Sequence, residues 1–324
     1  MYSIDRRSMI VASATIATLA IISSPAQAQV KRLEIVAPAS PGGGWDQTAR
    51  AMQGALDKAG LASGIQVKNV PGAGGTIGLA QFVTSKKGSE NSLLVSGLIM
   101  VGAILTNKSQ FTLEDVTPLA RLTGEYEMIA VTTDSEIATM EDLVAKLKAD
   151  PGAVSWGGGS AGGTDQILVG LVAKAVGVDP TKVKYIAHSG GGESMSSILG
   201  GHVTVGVNSV SEFMPQIEAG KLRALSVSSD ERMPDLDVPT LKEGGIDVTL
   251  INWRGVMAAP GIEDDDKAAL SEMVAQMVKS EAWQEELKTR DWLDLYQPEE
   301  EFKAFLEEDT ATVEGILRDI GLVT

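Results

Sequence analysis

The feature that most constrains the fold is a unit that recurs along the chain: a β-rich run, a glycine cluster and a helical pattern. Four loops have this form, namely "SPGGGWD" at 40–46, "PGAGGTIG" at 71–78, "GGGSAGGTD" at 157–165 and "HSGGGES" at 188–194. Apolar strands that alternate with helices indicate a parallel sheet covered on both faces. In such a sheet ligands bind beyond the carboxyl ends of the strands, where these loops fall. The sequence therefore predicts an α/β protein with a ligand cleft.

The length of 324 residues exceeds what one hydrophobic core usually supports, so we expect two α/β lobes. A second set of strands and helices opens with a strand at residues 127–133, and the helical patterns after residue 263 complete the first lobe. The predicted lobe 1 comprises residues 29–126 and 254–324, and lobe 2 comprises residues 127–253. The chain would cross between the lobes near 125–130 and again near 251–256.

Residues 1–28 have the pattern of a secretory signal peptide. Arg6 and Arg7 precede an apolar run at 9–22, and Ala26-Gln27-Ala28 forms a small-residue cleavage site. The chain has no cysteine, which excludes disulfides and a lipidated cysteine anchor. We therefore predict a periplasmic protein whose signal peptide is cleaved near Ala28; general secretory and twin-arginine export both remain open.

The charge and the residue types exclude several classes of function. A formal net charge of −16 argues against nucleic acid and anionic membranes as partners. The chain has two histidines and lacks an H-E-x-x-H motif, so we predict neither a metal site nor a cofactor.

The glycine loops are suited to binding an anion. Glycine lets several backbone N–H groups point at one ligand, and the following helix adds its free N–H groups and positive dipole end. None of the four loops contains Lys or Arg, so carboxylates fit better than polyphosphates. The candidate ligand contacts are Gly42, Gly43, Gly44, Trp45, Asp46, Ala73, Gly74, Gly75, Ser96, Ser160, Ala161, Gly162, Gly163, Thr164, Asp165, Ser189, Gly190, Gly191 and Asn208.

The third loop also matches one cofactor-binding pattern and one catalytic pattern. Gly157, Gly159 and Gly162 spell the dinucleotide fingerprint G-x-G-x-x-G, but Asp179 precedes the next strand instead of ending it. The overlapping G-x-S-x-G pattern would make Ser160 a hydrolase nucleophile.

The hydrolase hypothesis needs a histidine, and the candidates are His188 and His202. It stays an alternative to carboxylate binding. Three further side chains have two possible roles each. Trp45 and Trp156 could each wall the ligand or pack in the core, and Asp46 could touch the ligand through water or cap its helix.

Several segments together resemble a known receptor family. They are "NVPGAGGTIG" (69–78), "WGGGSAGGTD" (156–165), "SGGGES" (189–194) and "NWRGVMAAPG" (252–261). The chain beyond residue 28 resembles the periplasmic receptors of tripartite tricarboxylate transporters, often called Bug receptors. The form "WGGGSAGGTD" is most similar to the branch that takes citrate-like tricarboxylates. Ser189 departs from the Lys that much of the wider family has before the fourth glycine cluster.

The resemblance implies a type II periplasmic binding protein fold, with two α/β lobes, a ligand cleft and two crossover segments. It implies a monomeric receptor that captures a di- or tricarboxylate and delivers it to the large and small membrane subunits of a secondary transporter. Residues 42–46 and 160–164 would grip the carboxylates from opposite lobes. A sensory carboxylate receptor would bind its ligand between two lobes in the same way.

Overall fold

The computed structural model describes residues 30–234 and 236–324. The predicted signal peptide at 1–28 lies outside these residues. Among the helices described, none has the length and apolar character that a bilayer span requires.

The strands of the described segments are β1 (Val30–Lys31), β2 (Glu34–Ala37), β3 (Ala62–Ser63), β4 (Gln66–Asn69), β5 (Ser92–Gly97), β6 (Thr117–Thr132), β7 (Ser155–Gly158), β8 (Lys184–Ala187), β9 (Val205–Ser209), β10 (Leu222–Val227), β11 (Ile251–Ala258) and β12 (Leu293–Pro298). Their helices are α1 (Gly44–Lys58), α2 (Thr76–Ser85), α3 (Leu98–Asn107), α4 (Met140–Ala149), α5 (Thr164–Ala175), α6 (Gly191–Leu199), α7 (Val210–Glu218), α8 (Asp264–Lys279), α9 (Glu281–Thr289) and α10 (Glu299–Asp319).

The strand β6 runs through both halves of the sheet. Its first part pairs with β11 and β12, and its last part pairs with β9 and β10, in every case antiparallel. On one side of it β11, β5, β2 and β4 follow in order, and on the other side β9, β7 and β8. The predicted strand at 127–133 is therefore the end of a 16-residue strand that begins at Thr117. The β2–β4, β2–β5, β7–β8 and β7–β9 pairs are parallel, as the alternating pattern predicts.

Two main groups of buried side chains cover this sheet. One joins strand residues such as Ile35 and Val256 to Trp283 and Phe302 of the C-terminal helices. Another lies within residues 129–248 and contains Trp156, which is fully buried. Trp156 therefore packs in a core and does not wall a ligand.

The start of α3 and the third glycine loop touch across the two halves of the molecule. A Cβ added to Gly102 would lie 2.0 Å from the Gly162 carbonyl oxygen, and one added to Gly163 would lie 3.3 Å from the Ile99 side chain. Glycine permits this close backbone approach. The third loop thereby lines the same cavity as the first two loops.

Candidate functional site

A cavity of about 60 Å³ lies where the four glycine loops meet. It is bounded by residues from both sides of β6, as the arrangement of the loops predicts. The predicted site residues that line it are Gly43, Gly44, Trp45, Gly74, Gly75, Ser160, Asp165, Ser189, Gly190, Gly191 and Asn208. All four loops therefore contribute to one cavity.

The other predicted residues are not among those that line the cavity: Gly42, Asp46, Ala73, Ser96, Ala161, Gly162, Gly163 and Thr164. The lining also contains residues that the sequence reasoning missed: Pro38, Ala39, Gly72, Ile99, Gly159, Ser209, Glu212, Asn252 and Arg254. The missed polar residues come from the end of β9, from α7 and from β11, elements that carry no glycine loop.

Helices α1, α5 and α6 begin with a glycine at the N-cap position, namely Gly43, Gly163 and Gly190. None of the three has a side-chain cap hydrogen bond at that position. The first N–H groups of a helix have no partner within the helix, and together with the dipole they attract an anion. The helix starts therefore offer donors to a ligand from both halves of the molecule.

Some loop donors are already bound by side chains of the protein. Asp46 accepts hydrogen bonds from the Gly42 N–H at 2.8 Å, Arg50 Nε at 2.9 Å and Asn69 Nδ2 at 2.9 Å. Burial raises the pKa of Asp46, but these hydrogen bonds outweigh it and hold the pKa below its usual value. Asp46 thus stabilises the conformation of the first loop through hydrogen bonds.

The third and fourth loops show the same internal bonding. Gln166 Oε1 accepts from the Gly162 N–H at 2.8 Å, and Glu193 Oε2 accepts from the Ser189 N–H at 2.7 Å. Glu193 also accepts from the Ser189 hydroxyl. These bonds fix the loop conformation and leave the donors at the helix starts for a ligand.

The floor of the cavity contains a buried ion pair that the loop patterns did not reveal. Arg254 on β11 donates to Glu125 on β6, and both side chains are 2% exposed. Glu125 also accepts from the Ser211 hydroxyl at 2.6 Å. Beside this pair, Asn252 Nδ2 donates to Glu127 Oε1 at 3.0 Å. The glycine loops lack a cation, but the strand behind them supplies one.

Burial also changes the acidity of the neighbouring carboxyl groups. It raises the pKa of Glu127 well above its usual range, and the charges of Asp165 and Glu125 add to the effect. Burial likewise raises the pKa of Asp165 to about 6, although the Gly159 N–H bond opposes the shift. Burial, together with the nearby Glu125, raises the pKa of Glu212 to about 8. The site therefore retains protons at pH values where an exposed carboxyl group has lost them.

We predict that the free energy of unfolding falls as the pH rises from about 5 to 8. In this range the folded protein still holds protons on Asp165, whose pKa is about 6, and on Glu212, whose pKa is about 8, and it releases them in that order as the pH rises. The unfolded chain has released them, since its carboxyl groups titrate near pH 4. The folded state binds more protons, so stability decreases with pH. Urea unfolding at a series of pH values measures the slope.

Glu212→Gln should flatten that slope between pH 6 and 8, because it removes the carboxyl group whose pKa is raised to about 8. The exposed Glu218 lies on the same helix, so Glu218→Gln is the matched control and should leave the slope as it is. A wild-type stability that increases over this range would contradict the assignment.

The geometry around Ser160 does not form a catalytic triad. His188 Nδ1 lies 2.9 Å from the Gly158 carbonyl oxygen, which occupies that ring nitrogen. In the part of the chain that the structure describes, no hydrogen bond joins Ser160 to either histidine. A serine nucleophile needs a base within hydrogen-bond reach. Across residues 30–234 and 236–324, no group of three or more potential ligands could hold a metal ion.

Comparison with known proteins identifies the family. A family model described as the tripartite tricarboxylate transporter family receptor, TctC, matches residues 48–322. The chain belongs to this receptor family. Proteins of the family are periplasmic solute-binding receptors and not enzymes, which confirms the receptor prediction and removes the hydrolase alternative.

Three similar proteins illustrate the match. Protein BugT of Bordetella pertussis is 26% identical, and the alignment covers 93% of each chain. A TctC solute-binding protein from Polaromonas is 28% identical, with a TM-score of 0.64 over 91% of this chain and 99% of that one. MatC of Rhodopseudomonas palustris, solved with bound malate, is 21% identical, with a TM-score of 0.78 over 89% and 99% of the two chains. These matches confirm the periplasmic binding protein fold and the resemblance to Bug receptors.

Proposed function

We propose that the chain captures a di- or tricarboxylate of the citrate type in the cavity and delivers it to the membrane subunits of a secondary transporter. The observation that carries the proposal is one cavity bounded by α1 from one side of β6 and by α5 and α6 from the other. Each of these helices begins at a glycine with no side-chain cap. Uncapped helix starts suit carboxylates.

We further propose that lobes comprising residues 29–126 with 254–324 and residues 127–253 close on the ligand. Two observations support this division: β6 passes from one half of the sheet to the other, and the chain returns at β11. Export by a signal peptide cleaved near Ala28 and a monomeric state complete the proposal. MatC, which shares the fold, was solved with malate, a small dicarboxylate.

The proposal is tested by thermal melting of residues 29–324 after unfolding, dialysis and refolding, which removes captured ligand. The panel contains dicarboxylates and tricarboxylates with and without Mg²⁺, amino acids, aromatic acids, NAD and ATP. A ligand at 100 times its Kd stabilises the folded state by about 2.7 kcal/mol. A shift with carboxylates supports the proposal. If NAD or ATP raises the melting temperature and no carboxylate does, the proposal is refuted. It is also refuted if no carboxylate on the panel changes the melting temperature.

Ser160→Ala should weaken carboxylate binding without abolishing it. The variant loses at most one hydrogen bond to a charged group, worth about 1.5–3 kcal/mol. The Kd measured by calorimetry should therefore rise on the order of 10- to 150-fold. Ser85→Ala, which removes an exposed hydroxyl on α2, is the control. Hydrolysis of an ester or amide by the wild type that disappears in Ser160→Ala would contradict the receptor function.

A further inference from the structure

Four side chains that line the cavity each carry a buried polar atom that has no hydrogen-bond partner within residues 30–234 and 236–324. These atoms are Trp45 Nε1, Asn208 Nδ2, Asn252 Oδ1 and Arg254 Nη1. The four residues are between 2% and 6% exposed. A buried polar atom without a partner costs about 1–3 kcal/mol, and native proteins contain few of them. Four such atoms around one cavity indicate that a ligand completes their hydrogen bonds.

The four atoms differ in whether they donate or accept hydrogen bonds. Trp45 Nε1, Asn208 Nδ2 and Arg254 Nη1 are donors and require an acceptor such as a carboxylate oxygen. Asn252 Oδ1 accepts, because the amide nitrogen of this residue already donates to Glu127. A ligand end that satisfies all four must therefore both accept and donate hydrogen bonds.

The charged side chains around Arg254 also indicate a ligand end that both accepts and donates hydrogen bonds. The positive charge of Arg254 is balanced by Glu125, its ion-pair partner. Glu212 and Asp165 also line the cavity. A ligand end with only acceptor oxygens would leave Asn252 Oδ1, which can only accept, without a donor. A hydroxyl or ammonium group beside the ligand carboxylate supplies that donor.

We propose that Trp45, Asn208, Glu212, Asn252 and Arg254 form an inner subsite, which selects ligands whose carboxylate-bearing carbon also carries a hydroxyl or ammonium group. The inference rests on the proposed carboxylate capture and deepens it. The donors hold the carboxylate, and Asn252 Oδ1 and Glu212 accept from the neighbouring group. The other carboxylate of the ligand lies against the glycine loops.

The size of the cavity agrees with a compact ligand. At roughly 10–15 Å³ for each enclosed water, its volume of about 60 Å³ corresponds to on the order of five water molecules. This space suits a small substituted organic acid.

The test uses calorimetry on ligand-free residues 29–324 with matched acids. Succinate, malate and aspartate differ only in the substituent, as do tricarballylate and citrate. The substituted member that binds should bind at least tenfold more tightly than its parent, because the parent leaves buried acceptors unpaired. Preference for malate identifies a hydroxyl ligand, and preference for aspartate identifies an ammonium ligand; either result supports the subsite.

Two variants separate the two parts of the subsite. Asn208→Asp keeps the oxygen that accepts from the Ser209 N–H at 3.1 Å but replaces the unpartnered donor by an acceptor. Asn208→Asp should raise the Kd of every carboxylate at least tenfold. Glu212→Leu, which removes both carboxyl oxygens, should reduce the preference for the substituted acid to less than threefold. Trp45→Phe, which removes only the indole donor with little change in shape, replaces Asn208→Asp if that variant does not fold.

The outcomes distinguish the two proposals. Equal affinities for succinate, malate and aspartate, with citrate equal to tricarballylate, overturn the inner subsite and leave carboxylate capture standing. Failure of every carboxylate to bind overturns the proposed function and the subsite with it.

Discussion

Arg254→Met is expected to lower the free energy of unfolding by about 3–5 kcal/mol, because it leaves Glu125 buried without its partner. Both side chains are 2% exposed, so water cannot replace the lost interaction. Tm and urea unfolding of the ligand-free protein measure the loss. Arg318→Met is the matched control: it breaks the partly exposed Arg318–Glu314 pair, for which the loss should not exceed about 1 kcal/mol.

The double variant Glu125→Gln with Arg254→Met should recover much of that stability. It removes both charges together, and a buried pair replaced as a unit is often close to neutral. The interaction energy from the four proteins of the cycle then isolates the pair. A double variant as unstable as the sum of the two single variants would show that Arg254 stabilises the protein by packing and not through Glu125.

The loops of the site could be predicted from the sequence because glycine clusters carry a local signal. A loop such as 40–46 shows in a few adjacent letters that a strand ends and a helix begins. The cap of α4 depends on equally local contacts: Thr139 Oγ1 accepts from the Asp142 N–H, and Asp142 accepts from the Thr139 N–H. Both features depend on residues within one turn of each other.

The floor of the cavity could not be predicted in this way. Arg254 and Glu125 are 129 positions apart and meet because β11 and β6 pair antiparallel. Within "NWRGVMAAPG" nothing local marks Arg254 as buried, since an arginine in a strand is usually exposed. Glu212 shows the same limit, because it lies in an ordinary helix start. The length of β6 was underestimated for a related reason: its first part lacks the apolar run of its second.

Gly102→Ala should weaken ligand binding while leaving the protein folded. The added Cβ would lie 2.0 Å from the Gly162 carbonyl oxygen, so the third loop could not reach its present position against α3. An overpacked contact of this kind costs about 1–3 kcal/mol. If the lobes part when the ligand leaves, the cost falls on the closed state alone. The Kd for the best carboxylate should then rise on the order of 5- to 150-fold in calorimetry.

Gly54→Ala is the matched control, because Gly54 also lies within a helix and a Cβ there meets no atom within 4 Å. That variant should stabilise the protein by roughly 0.5–1 kcal/mol, the usual gain of Ala over Gly in a helix, and should leave the Kd unchanged. Gly102→Val should weaken binding further than Gly102→Ala, since its side chain is larger.

The free energy of unfolding of ligand-free Gly102→Ala shows whether hindered closure of the lobes is the cause of the weaker binding. A protein that opens without ligand moves Gly162 away from α3, so Gly102→Ala should unfold at a urea concentration equal to or above that of the wild type. A marked loss of ligand-free stability, with the Kd unchanged, would mean that α3 and the third loop never separate. The two halves would then form one rigid body, and the ligand would enter by a route other than the parting of the lobes.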